Sequence, residues 1–129
     1  MSLIVVIEDH VQNARMVEKL LTRAGHKVLV ANDGETGLTM IFENQPDIAL
    51  VDLGLPDIDG QTVVALVRQQ PNLHDMPLVV FTAWPIETAY EMIEKYGCNG
   101  IISKPIDPAL FAKQVESYIP TSEANGRHQ

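Results

Sequence analysis

IALVD, at residues 48–52, indicates the fold class of this chain most clearly. Four consecutive apolar residues before a carboxylate predict a short strand that is buried on both faces, as in a parallel sheet. Asp52 ends this strand, and Leu53-Gly54-Leu55-Pro56 continues as a loop. Open α/β sheets carry their chemistry at the carboxyl ends of their strands. We therefore expect Asp52 to lie at the functional edge of the sheet.

Three other strand-like runs also lead directly into polar residues. They are Leu3–Ile7 before Glu8-Asp9, Leu78–Phe81 before Thr82, and Gly100–Ser103 before Lys104-Pro105. Because the carboxyl ends of parallel strands meet at one edge, three carboxylates, a hydroxyl and an ammonium are expected to converge there. Such a set of groups suits phosphoryl transfer or the binding of a divalent cation.

The rest of the chain alternates further strand-like and helix-period segments. A second strand is predicted at Lys27–Ala31. Five helices are predicted from apolar residues spaced three and four apart. The first has Val17, Leu20, Leu21 and Ala24 and is ended by Gly25, the second has Leu38, Ile41 and Phe42, and the third runs from Gly60 to about Gln69 with Val63, Leu66 and Val67 inward. The fourth has Ala89, Met92, Ile93 and Tyr96, and the last follows Asp107-Pro108 with Phe111, Val115, Tyr118 and Ile119. This alternation predicts an α/β fold with a doubly wound, five-stranded parallel sheet.

The composition is typical of one domain without a membrane span. Residues 1–120 are expected to form that domain, and the polar tail 121–129 is expected to be disordered. No apolar run approaches the ~18 residues of a membrane span, and no secretory signal is expected, because no basic stretch precedes a long apolar one near the N-terminus. A single cysteine, Cys98, cannot form an internal disulfide, which fits a cytoplasmic location. The net charge of −8, without a basic patch, argues against nucleic-acid binding.

Several common site motifs are absent from the sequence, among them glycine-rich nucleotide loops, the hydrolase elbow and the zinc-protease helix. Asp57-Ile58-Asp59-Gly60 is similar to part of a calcium loop, but Leu55 and Leu66 stand where that loop requires acids. Asp57 and Asp59 are therefore interpreted as turn and helix-cap residues.

Glu8, Asp9 and Asp52 would repel one another unless a cation lies among them. Two unit charges ~4 Å apart repel by ~4 kcal/mol at an effective dielectric constant of ~20. Mg²⁺ prefers such oxygen ligands, and a carboxylate can also act as a nucleophile that forms an acyl phosphate. Lys104 and Thr82 would then balance and hydrogen-bond the transferred oxygens.

In this order and spacing, these residues resemble the response-regulator receiver domain of two-component signalling. The resemblance covers about residues 3–119, and its motifs are Glu8-Asp9, Val51-Asp52 with Leu55-Pro56 and Gly60, Thr82-Ala83, and Lys104-Pro105. It implies a flavodoxin-like (βα)5 fold with strand order 2-1-3-4-5. It also implies a signalling module, not a turnover enzyme, whose chemistry is Mg²⁺-dependent self-phosphorylation and slow self-dephosphorylation.

The resemblance assigns roles to the acidic residues. Asp52 would accept a phosphoryl group from a histidine kinase or a histidine phosphotransfer domain. Asp9, Asp52 and the backbone carbonyl of Gly54 would coordinate Mg²⁺, while Glu8 would act mainly through water.

Two further residues would contact the phosphoryl group in a protein of this family. Lys104, often joined to Pro105 by a cis bond in the family, would pair with it, and Thr82 would move toward it. An aromatic residue usually stands three positions before the lysine, and here Ile101 replaces it. Trp84, two residues after Thr82, is expected to lie near the mouth of the site.

The sequence leaves two alternatives open. Ile101 is compatible with a phosphorylation-independent interaction module on the same fold. An aspartyl phosphatase would use the same nucleophile, but such enzymes usually carry a second acid where Gly54 stands.

The expected partners are a kinase or phosphotransfer domain and a downstream protein, with neither nucleic acid nor membrane bound directly. The sequence ends soon after the last predicted helix, so no output domain is expected. The receiver-like domain is expected either to act alone or to belong to a longer protein. Docking is expected between residues 86 and 119, with candidates, if exposed, at Met92, Tyr96, Ile101 and Tyr118. A phosphorylation-dependent homodimer is also compatible with the resemblance.

Overall fold

The computed structural model describes residues 2–83, 85, 87–88, 90–91, 95 and 97–120. Trp84, the predicted stripe of Ala89, Met92, Ile93 and Tyr96, and the predicted disordered tail 121–129 lie outside the described residues.

Within the described residues, the strands and helices follow one another in the predicted order. The elements are β1 Leu3–Ile7, α1 Val11–Arg23, β2 Lys27–Ala31, α2 Gly34–Asn44, β3 Ile48–Asp52, α3 Gly60–Arg68, a 3-10 turn Pro71–Leu73, β4 Leu78–Thr82, β5 Gly100–Ser103 and α4 Phe111–Glu116. All neighbouring strands pair in parallel, and the sheet has the order β2-β1-β3-β4-β5. The predicted fold class and strand order are therefore confirmed.

The central strands are continuously apolar because each of them serves two cores. In β3, Ala49 and Val51 belong to a core cluster on the α2 and α3 side. Ile48 and Leu50 belong to a second cluster, which includes residues of α1 and α4. Since successive side chains of a strand point to opposite faces, a strand covered on both faces has no position for a polar residue until it ends. Polar chemistry is thereby confined to the strand ends.

Two predicted inward residues lie at the surface instead. Ala24 is exposed, because α1 ends at Arg23 and Ala24 is its C-cap; Ala14 is buried on the helix instead. Phe42 is 39% exposed, because the buried stripe of α2 runs along Leu38 and Ile41 and leaves the next residue at its margin.

The last helix begins later than predicted. Asp107 starts an irregular turn in which its side chain accepts a hydrogen bond from Ala109 N at 2.9 Å, and regular α-helix begins at Phe111. After the helix, the Tyr118 ring lies so close to Gly100 that a Cβ there would come within 2.2 Å of Tyr118 Cζ. Tyr118 therefore packs on β5.

None of the described helices is long and apolar enough to cross a membrane.

Candidate functional site

Three carboxylates converge at the carboxyl edge of the sheet, as predicted. One ligand oxygen from each of Glu8, Asp9 and Asp52 lies within 4.8 Å of the others. The register of the sheet explains the convergence, because Ile7 of β1 pairs with Val51 of β3 and both strands then pass directly into acids.

Lys104 enters this cluster from the end of β5. Its Nζ donates a hydrogen bond to Glu8 Oε1 at 2.8 Å and lies 3.2 Å from Asp52 Oδ2. The side chain is 16% exposed. Its bond to Pro105 is cis, as the family resemblance implied. One ammonium therefore contacts two acids that belong to two different strands.

Glu8 is the most deeply buried member of the cluster, with no exposed surface. Burial raises the pKa of its carboxyl above the usual value, although the hydrogen bond from Lys104 acts in the opposite direction. Its second oxygen accepts a hydrogen bond from the backbone N–H of His10 at 3.1 Å. Both oxygens of Glu8 thus already have protein donors.

Asp52 is held by the loop that follows it. Gly54 N donates to Asp52 Oδ1 at 3.1 Å, and the carboxylate remains slightly accessible, with the residue 7% exposed. A Cβ on Gly60 would come within 2.6 Å of Leu53 Cα, so glycine is needed where α3 begins against the end of β3. The loop between them carries Gly54, whose carbonyl is a predicted metal ligand.

Thr82 lies on β4, the strand next to Asp52, and Ile101 lies on β5, one strand further out. Thr82 ends β4 and is 2% exposed, and its carbonyl accepts a hydrogen bond from Lys104 N at 2.8 Å. Ile101 is partly buried against the core cluster on the α2 and α3 side. Ile101 and Tyr118, which packs against the other cluster, are both partly buried rather than fully exposed.

The donor set fits a divalent cation. When ionised, three carboxylates and one ammonium leave an excess of two negative charges. A hard cation with oxygen ligands would balance that excess, and Mg²⁺ binds in this way through one or two carboxylates while retaining waters. The residues of the cluster are therefore suited to Mg²⁺.

Two contacts at this edge were not predicted from the sequence. The Lys104 Nζ lies over the Phe81 ring, 4.8 Å from its centroid. Asp57, interpreted as a turn or cap residue, caps α2 rather than α3 by accepting from Gly34 N at 2.8 Å and Glu35 N at 3.0 Å. The position of Phe81 could have been found, because strand alternation places it on the same face of the sheet as Asp52. The capping of α2 by Asp57 could not, because a loop residue that caps a distant helix leaves no local pattern in the sequence.

Comparisons with known proteins agree with this geometry. Residues 4–116 match the family model of the response regulator receiver domain. The polar-differentiation response regulator DivK of Brucella anthropi is 28% identical over 116 residues, which cover 90% of this chain and 94% of DivK. The structure of the Vibrio cholerae chemotaxis protein CheY4 superposes with a TM-score of 0.87 at 24% identity, covering 92% of this chain and 99% of that chain.

A third comparison includes a metal. The receiver domain of a sensor histidine kinase from Pseudomonas aeruginosa has a TM-score of 0.84 and 25% identity, with 93% of this chain and 98% of that chain covered. In that structure a magnesium ion is coordinated in the active-site cleft.

The family match covers nearly all of the described chain. Receiver domains are signalling modules rather than turnover enzymes, bind Mg²⁺ at an acidic pocket, and interact with histidine kinases and downstream partners. Glu8, Asp9 and Asp52 form such a pocket here. This chain therefore belongs to the response regulator receiver domains, the phospho-acceptor modules of two-component signalling.

Proposed function

We propose that Asp52 is the residue that accepts the phosphoryl group, from a phosphohistidine of a histidine kinase or a histidine phosphotransfer domain. The observation that supports this assignment best is the position of Lys104 Nζ, 3.2 Å from Asp52 and 2.8 Å from Glu8. The oxygens of an incoming phosphoryl group carry negative charge that must be balanced beside the accepting carboxylate. The ammonium of Lys104 is placed to balance it.

In the proposed transfer, a carboxylate oxygen of Asp52 attacks phosphorus. The O–P bond forms as the P–N bond to the donor histidine breaks, and the bonding electron pair leaves with the imidazole nitrogen, which is protonated. The Gly54 N–H orients the carboxylate, Lys104 balances charge on the phosphoryl oxygens, and the Thr82 hydroxyl moves to donate to one of them. Positioning and charge compensation are the main requirements of such a transfer.

Asp9, Asp52 and the Gly54 carbonyl would hold Mg²⁺. Glu8, whose oxygens already accept from Lys104 and His10, would act mainly through water. Bound there, Mg²⁺ supplies positive charge that offsets the acids and the phosphoryl oxygens.

Return to the resting state would be slow hydrolysis of the acyl phosphate. Water attacks phosphorus, inorganic phosphate leaves, and the Asp52 carboxylate is regenerated. Gly54, two residues after the acceptor, provides no acid that could protonate the leaving group of a phosphoester. This is why we assign self-dephosphorylation and not catalytic turnover.

The phosphorylated form would act by changing how a downstream protein docks. Movement of Thr82 would displace the segment that follows it, within a cytoplasmic domain of residues 1–120. Because Ile101 lacks an aromatic ring and packs against the core, the segment after Thr82 carries the readout in this proposal. A homodimer formed on phosphorylation is one such docking event.

Intact-mass spectrometry tests the proposal. Incubation with acetyl phosphate and Mg²⁺ should add the mass of one phosphoryl group to the wild type and nothing to Asp52→Asn. Asp59→Asn is the matched control, because Asp59 lies in the same loop, is exposed and makes no side-chain capping bond; it should be phosphorylated like the wild type. An unmodified wild type, or a modified Asp52→Asn, would overturn the assignment.

Ile101, which replaces the usual aromatic residue and is partly buried against the core, favours one alternative, a module that binds its partner independently of phosphorylation. In that case beryllofluoride and Asp52→Asn would leave partner affinity unchanged. A beryllofluoride-dependent change in affinity for the partner would exclude it.

A further inference from the structure

We propose that Phe81 is a positioning residue for Lys104, and that the face of its ring holds the ammonium in place to reach the phosphoryl group on Asp52. The inference rests on the proposed role of Lys104 and adds a residue that acts through it. It concerns a contact made by the side chains, so it can be tested separately from phosphorylation.

The register of the sheet makes this contact necessary. Phe81 of β4 pairs with Asp52 of β3 on one side and with Ile102 of β5 on the other. Lys104 lies two residues after Ile102 and therefore starts on the same face. Neighbouring strands are about 4.8 Å apart, so the lysine must cross β4 to reach Asp52, and Phe81 is the residue that it crosses.

The observed geometry fits this path. Lys104 Nζ lies over the Phe81 ring at 4.8 Å from the centroid, within the ~6 Å at which a cation is attracted by the electron-rich face of an aromatic ring. Phe81 is fully buried and packed in the core, so the ring is a fixed support. Since the side chain of Lys104 is only 16% exposed, the attraction is weakly screened by water.

An aromatic ring supports the ammonium without using its hydrogen-bond donors. All three N–H groups of Lys104 remain available for Glu8, for Asp52 and for an incoming oxygen. An aliphatic side chain at position 81 would fill space but would not attract the charge. We therefore assign to Phe81 an electrostatic contribution that volume alone does not replace.

Nuclear magnetic resonance tests the contact in the unphosphorylated protein. Protons held over a ring face are shielded, so the Cε protons of Lys104 should be shifted upfield in the wild type, and the shift should disappear in Phe81→Leu. Lys104→Gln assigns the signal by removing it. Cε protons at the ordinary lysine position in folded wild type would overturn the proposal, even if the protein were not phosphorylated at all.

Site-specific fluorination of Phe81 tests the electrostatic effect. Successive fluorines weaken attraction to the ring face while keeping its shape, so the rate of phosphorylation by acetyl phosphate should fall stepwise. Loss of the interaction should lower the rate by about 2- to 30-fold. Phe81→Tyr should retain most of the rate, because its ring is also electron-rich.

Phe111 provides the matched control, since it is also fully buried and lies in the same core cluster. Fluorination of Phe111 should leave the rate within about twofold of the wild type. Melting temperatures of all variants identify those that have lost the fold. If Phe81 fluorination leaves the rate unchanged, or if Phe111 fluorination lowers it equally, Phe81 is a packing residue and the proposal is wrong.

Discussion

Lys104 holds together two carboxylates that would otherwise repel each other, and Asp9 adds a third negative charge beside them. Glu8 and Asp52 both contact Lys104 Nζ, while the Asp9 carboxylate lies within 4.8 Å of theirs and is partly exposed. The cluster therefore carries electrostatic strain in the absence of a cation, and this strain is what favours Mg²⁺.

Replacing Asp9 by asparagine should raise stability without metal and reduce the stabilisation by Mg²⁺. In EDTA, Asp9→Asn should be more stable than the wild type by about 1 kcal/mol, because one repelling charge is removed. At a Mg²⁺ concentration ten times its Kd, the wild type should gain about 1.4 kcal/mol, and the variant should gain much less. Urea denaturation with and without Mg²⁺ measures both.

Glu18→Gln is the control, because Glu18 is an exposed acid on α1 outside the cluster. It should respond to Mg²⁺ like the wild type. Equal stabilisation of Asp9→Asn and the wild type by Mg²⁺ would show that Asp9 does not take part in metal binding.

At the scale of elements, Arg68 joins the end of α3 to the segments that precede β4 and β5. These segments lie at the edge of the sheet opposite the acids. Its guanidinium donates to the carbonyls of Gly97, Leu73 and Met76 at 2.9, 3.0 and 2.8 Å, and to Asn99 Oδ1 at 2.8 Å. Burial lowers the pKa of Arg68 below its usual value. The planar guanidinium presents several N–H donors in fixed directions, and it thereby holds the segment before β5 against α3.

Arg68→Lys should destabilise the fold by about 2–3 kcal/mol, because one ammonium cannot reach four separated acceptors and leaves buried carbonyls unsatisfied. Chemical denaturation measures the loss. The control is Arg23→Lys, at an exposed position in the last turn of α1, which should change stability by less than about 0.5 kcal/mol. Equal effects of the two substitutions would contradict the proposed connection.

Asp57 couples the loop after the acceptor to the beginning of α2, and this coupling should depend on pH. Hydrogen bonds from Gly34 N and Glu35 N lower the pKa of Asp57 below its ordinary value of 3.8. A lowered folded pKa gives stability that is present above the unfolded pKa and lost as pH falls through the folded pKa. The charge at a helix N-terminus adds to this effect.

The difference in stability between the wild type and Asp57→Asn should therefore stay constant above about pH 5 and shrink as the pH falls below about 4 and through the lowered pKa of Asp57. Denaturation at several pH values measures it. Asp59→Asn is the control, since Asp59 is the N-cap residue of α3 but makes no side-chain capping bond; its stability difference should change less over this range. A constant or growing difference for Asp57→Asn would refute the capping role.

At the scale of the whole molecule, the sheet and the edge at which the acids converge could be predicted, because both follow from local pattern. Buried strands such as Ile48–Asp52 are continuous apolar runs, and the polar residues that follow them must share an edge when the strands are parallel. Two specific side-chain contacts near that edge could not be predicted. The contact of Lys104 with Phe81 and the capping of α2 by Asp57 depend on side-chain paths between distant segments, which sequence spacing does not record.

The most direct test of the account locates the phosphoryl group chemically. Borohydride reduces an acyl phosphate of aspartate to homoserine, which peptide mass spectrometry assigns to one position after reaction with acetyl phosphate and Mg²⁺. We predict homoserine at position 52 and unmodified acids at Glu8, Asp9, Asp57 and Asp59. Homoserine at another aspartate, with residue 52 unchanged, would contradict it.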